Sequence, residues 1–143
     1  MRTSRRRARE YALQALYQWQ LTGYDMEAIA SQMRTQKDFA HADAALFEAL
    51  VHGVAREAKE LEAILQPYLD RAVSKLSPIE HCILLLGAFE LAHHPETPYR
   101  VVINEAVELA KTFGGTEGHK YVNGVLDRVA AQLRALEVAA RGS

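Results

Sequence analysis

A single cysteine, Cys82, leaves this sequence unable to close a disulfide within itself. It lies in the apolar run Ile83-Leu84-Leu85-Leu86, where a buried, inert thiol is expected rather than a nucleophile. No apolar stretch is long enough to span a bilayer, and the basic N-terminus is not followed by the apolar core of a secretory signal. With one unpaired thiol also matching a reducing compartment, a soluble cytoplasmic protein with no membrane partner is expected. Internal repeats, low-complexity blocks and period-two alternation are missing too, so strands are not expected.

Chemistry is equally sparse. There is no CxxC, HExxH or GxSxG motif and no phosphate-cradling glycine loop. The six histidines are scattered. The adjacent pair His93-His94 would point about 100° apart on a helix and cannot share a metal unaided. Gly114-Gly115-Thr116-Glu117-Gly118 has no strand in front of it and reads as a helix stop followed by a new start. No enzyme, cofactor or metal is expected.

What is present is helical. Alanine, leucine, glutamate, glutamine and arginine dominate the 143 residues, enough chain for one compact domain or two small lobes sharing a core. A first helix is predicted over Arg5 to Gln20, with Ala8, Ala12, Ala15, Leu16 and Trp19 on one stripe. A short helix covers Met26 to Met33. A third begins after Asp38 or Asp43, and a break is expected near Arg56 to Lys59. Ser77-Pro78-Ile79-Glu80 is a strong start, with serine as cap, proline at the first helical position and Glu80 as capping-box acid. The apolar helix that follows, to about His93, should be the central element. A further helix through Val102, Ile103, Ala106, Val107 and Ala110 stops at Gly114-Gly115. A last one from about Glu117 carries Val122, Val125, Leu126, Val129, Leu133 and Leu136, with Ala139 to Ser143 frayed. The lobes join at Asp70 to Ser77, giving an N-terminal lobe of about 1–72 and a C-terminal lobe of about 73–139.

The formal net charge is only −1, yet Arg2, Arg5, Arg6, Arg7 and Arg9 crowd the first turns of the first helix. Arginine at a helix start opposes the helix dipole. Guanidinium groups beside an aromatic ring suit single-stranded RNA, the former holding phosphates and the latter a base. Tyr17 lies off the apolar stripe and supplies such a ring. Packing against a neighbouring lobe would place it equally well, and an arginine-rich start can be merely solvated. A second group, Gly118-His119-Lys120-Tyr121-Val122-Asn123, offers another cation and ring at a helix start, where backbone N–H groups favour anions. Side by side, the two starts would form a continuous RNA surface.

Three separated stretches resemble the bacterial NusB family of transcription antitermination factors. They are Arg5-Arg6-Arg7-Ala8-Arg9-Glu10 with Ala12-Leu13-Gln14-Ala15-Leu16-Tyr17, then Val101 to Lys111 (VVINEAVELAK), then Lys120-Tyr121-Val122-Asn123-Gly124-Val125-Leu126-Asp127. The resemblance implies an all-α, seven-helix fold of two perpendicular three-helix lobes plus one extra helix, and a non-enzymatic protein. It implies that the chain pairs with the small-subunit ribosomal protein acting as NusE and binds the boxA element of nascent RNA. The pair would join an antitermination complex on RNA polymerase that suppresses premature termination, notably in ribosomal RNA operons. It assigns RNA contact to Arg5, Arg6, Arg7, Arg9, Tyr17, Lys120 and Tyr121, and partner contact to the region around Glu80. The chain departs from the family pattern at Leu85, where an arginine is usual, so that residue's ion pair must be lost or replaced. Tyr121 stands for the usual phenylalanine and keeps the ring. Some ribosomal RNA cytosine methyltransferases carry a similar N-terminal domain, but no cofactor motif is present here, and the chain stops where their catalytic domain would start. The alternative is a helical protein-interaction adaptor, or a homodimer using Tyr17 and the arginine face.

Overall fold

The computed structural model describes residues 2–115 and 117–142, without the side chains of 141 and 142. Thr116 of the glycine-rich stretch and Ser143 of the C-terminal tail lie outside the described residues. Seven α-helices and no strand occur among the described residues: α1 (Ser4–Thr22), α2 (Met26–Arg34), α3 (Ala44–Leu65), α4 (Pro78–His93), α5 (Tyr99–Phe113), α6 (Gly118–Leu133) and α7 (Ala135–Gly142). Short 3-10 turns cover Lys37–His41, Gln66–Tyr68 and Val73–Lys75. The expected all-helical class is what the chain adopts. Among the described residues no helix is long and apolar enough to cross a membrane.

Side-chain caps fix most of the starts. Thr3 Oγ1 accepts the Arg6 N–H at 3.0 Å, Asp25 accepts from Glu27 and Ala28, Asp43 Oδ1 accepts from Leu46 and Ser77 Oγ accepts from Glu80. Each satisfies N–H groups that a helix start leaves without an intrahelical partner. α1 ends at Gly23, whose φ of 71° is left-handed and favours glycine.

The chain divides into two units, Met1–Glu57 and Ala58–Ser143. The division falls at Glu57, where φ −112° and ψ 18° kink α3. The sequence reading places a break there, but draws the lobe boundary later, at 72/73; the last turns of α3 group with the second unit. In the first unit α1 packs on α2 and on the Lys37–His41 turn. Rings cluster at that turn: Phe39 lies 5.3 Å from Tyr11, tilted, and 5.0 Å, edge-on, from Phe47. Arg34 ties α2 to α3 by holding both Glu27 and Glu48.

In the second unit α4, α5 and α6 pack on one another. Every residue of α4 from Cys82 to Leu91 is buried, as expected of an element apolar on all sides. Leu85, at the position where the family pattern has arginine, is fully buried, so no ion pair forms at that position. The last helix is not continuous. Arg134 breaks it (φ −125°, ψ 41°), and α7 runs on to Gly142. Leu136, expected on the apolar stripe, is 89% exposed. The break has a physical cause in the Arg134 side chain. It turns inward and donates to the carbonyls of Glu90, Leu91, His94 and Thr97, closing the C-terminal end of α4. Glu137 of α7 accepts from Arg134 at 2.7 Å and from the Tyr99 N–H at 2.8 Å, supplying α5 with the cap that Pro98 cannot give.

Candidate nucleic-acid interface

The first cationic group is the start of α1. Its first turn contains no acid. Arg2 reaches Glu10 at 3.2 Å and Arg5 reaches Asp43 at 3.6 Å. Both arginine side chains stay about half exposed in these pairs, and ion pairs of that kind contribute only about 0–1 kcal/mol. Arg6 and Arg7 are half-buried.

Arg9 differs from the others, at only 4% exposed. Spacing explains it: Arg9, Leu13 and Leu16 follow i, i+4, i+7, and both leucines are buried. The buried face of α1 is thus wider than the stripe read from sequence, and it takes in Leu13 and Arg9. Arg9 sits with the interior, apart from the arginines that solvent reaches. Tyr17 is half-buried, not the open ring its place off the apolar stripe suggests.

The second group is built on the second unit. Lys120 is 70% exposed and 3.3 Å from Glu117 one turn earlier. Tyr121 is half-buried and belongs to a cluster that sequence reading leaves out. Its hydroxyl donates to Asp70 Oδ1 at 3.0 Å and accepts the Asp70 backbone N–H at 3.4 Å. The Arg71 guanidinium lies over the Tyr121 ring, 4.8 Å from its centroid. Arg71 in turn donates Nε and Nη2 to the two Asp70 oxygens at 2.5 and 2.9 Å. That pair, helped by the tyrosine hydroxyl, pulls the Asp70 carboxyl down to about 2, and the same carboxylate holds the Arg71 guanidinium above its ordinary value. Burial, more than the carboxylate, raises the Tyr121 phenol. In the sequence Asp70-Arg71 reads as part of the join between lobes; its only signal is a charged pair at the end of a helical run, 50 residues from the ring it serves.

Arg71, Glu80, Gly115, Glu117, Gly118 and Tyr121 line an open depression of about 320 Å³. Glu80 receives only half of the expected capping box. Ser77 accepts its N–H, but no bond from the Ser77 N–H back to its carboxylate appears among the described residues. The carboxylate instead reaches the start of α6: a Cβ on Gly118 would stand 2.8 Å from Glu80 Oε2. Glycine there lets the acid approach the backbone.

Among the described residues, one cluster brings metal-ligating atoms together. Glu27, Glu48 and His52 have ligand atoms within 4.8 Å of one another, with His52 Nε2 3.1 Å from both carboxylates. Arg34 already binds the two acids and holds the Glu27 carboxyl below its usual value. The cluster is complete as an ion-pair network between two helices.

A sequence model of the NusB family matches residues 6–131. The transcription antitermination protein NusB of Bordetella pertussis is 56% identical over 97% of this chain and 93% of its own length. The corresponding protein of Ralstonia nicotianae is 57% identical over 98% of this chain and 90% of its own. Among solved structures, T. maritima NusB superposes with a TM-score of 0.81 at 30% identity, over 92% of this chain and 94% of that one. A crystal structure of the antitermination factors NusB and NusE in complex with double-stranded RNA gives 0.77 at 25% identity, over 89% and 96%.

Proposed function

We propose, from the premise that this chain belongs to the NusB family, a division of labour among its residues in antitermination. The family is one of transcription antitermination factors and not of enzymes. The chain acts in the cytoplasm, with the small-subunit ribosomal protein that serves as NusE, on the boxA element of nascent single-stranded RNA. The pair joins the antitermination complex on RNA polymerase and suppresses premature termination, notably in ribosomal RNA operons. Arg5, Arg6 and Arg7 neutralise phosphates. Tyr17, Lys120 and Tyr121 contribute rings and a further cation. Arg9 holds the interior of α1 in place behind them, and Glu80, beside the start of α6, faces the protein partner.

One observation carries this reading: a chain with a net charge of −1 gathers Arg5, Arg6 and Arg7 on the acid-free first turn of α1. Neutralising about four phosphates on a single strand gives a slope near −3 in log affinity against log salt. The test is fluorescence binding to a short boxA-like single-stranded RNA over a salt series, with the same sequence as a duplex for comparison. Arg6→Glu with Arg7→Glu should weaken binding and flatten the slope by more than one unit. An unchanged slope in that double variant refutes the phosphate role of α1, and a preference for the duplex refutes the single-strand reading.

A further inference from the structure

The Tyr121 ring is not a bare surface, because Arg71 already lies across it at 4.8 Å. Asp70 holds that guanidinium by Nε and Nη2 together, which fixes its plane as a two-point contact does. The Tyr121 hydroxyl anchors the same carboxylate. The Arg71 side chain remains 43% exposed, and it borders the depression shared with Glu80, Glu117 and Gly118. Ring, guanidinium and carboxylate therefore form a pre-assembled layer with one side open.

We propose that Arg71, rather than Tyr121 directly, is the base-stacking platform of the second unit: one unpaired nucleobase stacks on the outer face of the Arg71 guanidinium, with the Tyr121 ring as the layer beneath and Asp70 as the clamp. This rests on the RNA-binding reading above and adds the residue that meets the base. Charge decides between a base and a phosphate at this spot. Arg71 is already neutralised by Asp70, and the depression also carries Glu80 and a Glu117 that Lys120 pairs, so a phosphate gains little there. A planar guanidinium keeps its stacking face when its edge is bonded. The clamp also persists across working conditions, since the Asp70 carboxyl is held at about 2.

The test uses the full-length protein, with and without its ribosomal partner, and a short single-stranded boxA-like RNA carrying 2-aminopurine at each position in turn. Arg71→Lys keeps the charge and loses the plane. Its affinity should fall about five- to 150-fold, the worth of one stacked base, while the salt slope stays within the roughly 0.7 that one phosphate contributes on a single strand. The 2-aminopurine quenching should disappear at one position only. With wild-type protein, an abasic nucleotide at that position should cost the same factor and should abolish the difference between wild type and Arg71→Lys. This last arm needs no variant to fold. Binding by Arg71→Lys within twofold of wild type, with quenching unchanged, overturns the stack and leaves the RNA-binding reading standing. A flattened slope for Arg71→Ala with wild-type affinity for Arg71→Lys makes Arg71 a phosphate contact and also overturns it. If wild-type protein fails to bind the RNA at any salt, alone or with its partner, the underlying reading falls first.

Discussion

Replacing Arg134 with methionine should cost the second unit about 3–5 kcal/mol, and the reason starts from a proline. In a helix the Leu91 carbonyl would accept from the N–H of residue 95, but Pro95 has none. Arg134 supplies the missing donor at 2.7 Å from Nε, while only 8% exposed. Its other nitrogens reach Thr97 O at 3.2 Å, Glu90 O at 3.2 Å and His94 O at 3.0 Å. The Glu90 and His94 carbonyls also accept backbone N–H groups, from His94 and Thr97, so they survive truncation better. Methionine fills the space but leaves the Leu91 carbonyl without its donor and the Glu137 carboxylate without its cation. An orphaned buried acceptor costs about 1–3 kcal/mol, and breaking a buried charge contact about 3–5 kcal/mol; the two overlap, so the larger range bounds the loss. With an unfolding entropy of about 2.1 cal/mol/K per residue, that loss lowers Tm by roughly 10–17 °C for a chain of this length. Thermal and urea unfolding followed by circular dichroism measure it, with Leu136→Gln as a surface control that should stay within about 0.5 kcal/mol. Arg134→Lys should recover part of the loss, since an ammonium replaces the fork with a point charge. A methionine variant within about 1 kcal/mol of wild type would refute the argument that this guanidinium closes the end of α4.

Four further outcomes follow from single contacts. Gly87→Ala puts a Cβ 2.6 Å from Leu126 Cδ1; overpacking of about 1–3 kcal/mol outweighs a helix-propensity gain of about 1 kcal/mol, and combining it with Leu126→Val should cost less than the sum of the two in urea titrations. Cys82 is buried, and burial pushes its thiol up to about 12, so Ellman's reagent should modify it only after unfolding. The Asp70 carboxyl is depressed, so its contribution to the Asp70–Arg71–Tyr121 cluster is complete above the unfolded carboxyl pKa of about 4. That contribution is lost as pH falls through about 2, and a carboxyl NMR titration should move back toward the ordinary range in Arg71→Ala. Asp43→Asn removes the acid that Arg5 faces while leaving an oxygen for the Leu46 N–H that Asp43 caps; RNA affinity at low salt should rise up to about fivefold, the worth of an exposed pair, with Tm nearly unchanged.

Local signals carried most of the helical map. Ser77-Pro78, the apolar run of α4 and the glycines after α1 and α5 each encode a boundary through caps and backbone preferences, and those boundaries stand within a residue or two. The break at Arg134 was invisible because its cause is tertiary: the spacing of Val122 to Leu133 continues smoothly, and only the carbonyls of α4 draw the side chain inward. The same limit applies to the candidate site. Arg5, Arg6 and Arg7 announce themselves as charge against a neutral background. Arg9 looks like one of them, yet it shares its helical face with Leu13 and Leu16, and a guanidinium at that spacing goes inside. Asp70 and Arg71 escape because no periodicity links a loop at 70 with a ring at 121.

The charge at the start of α1 bears on the proposed RNA contact. A helix that needed only to fold would place acids in its first turn, where each is worth about 0.3–1 kcal/mol against the positive end of the dipole. This one has none there, and carries arginines in their place. Thr3 satisfies one N–H, and two carboxylates from outside the first turn reach the cluster: Glu10 from the second turn and Asp43 from the cap of α3. In both pairs the arginine stays about half exposed. On the proposed reading, an incoming phosphate would add negative charge beside dipole and guanidinium groups together and leave Asp43 its Leu46 bond. If the proposed phosphate contact holds, RNA binding should stabilise the start of α1 as well as retain the RNA.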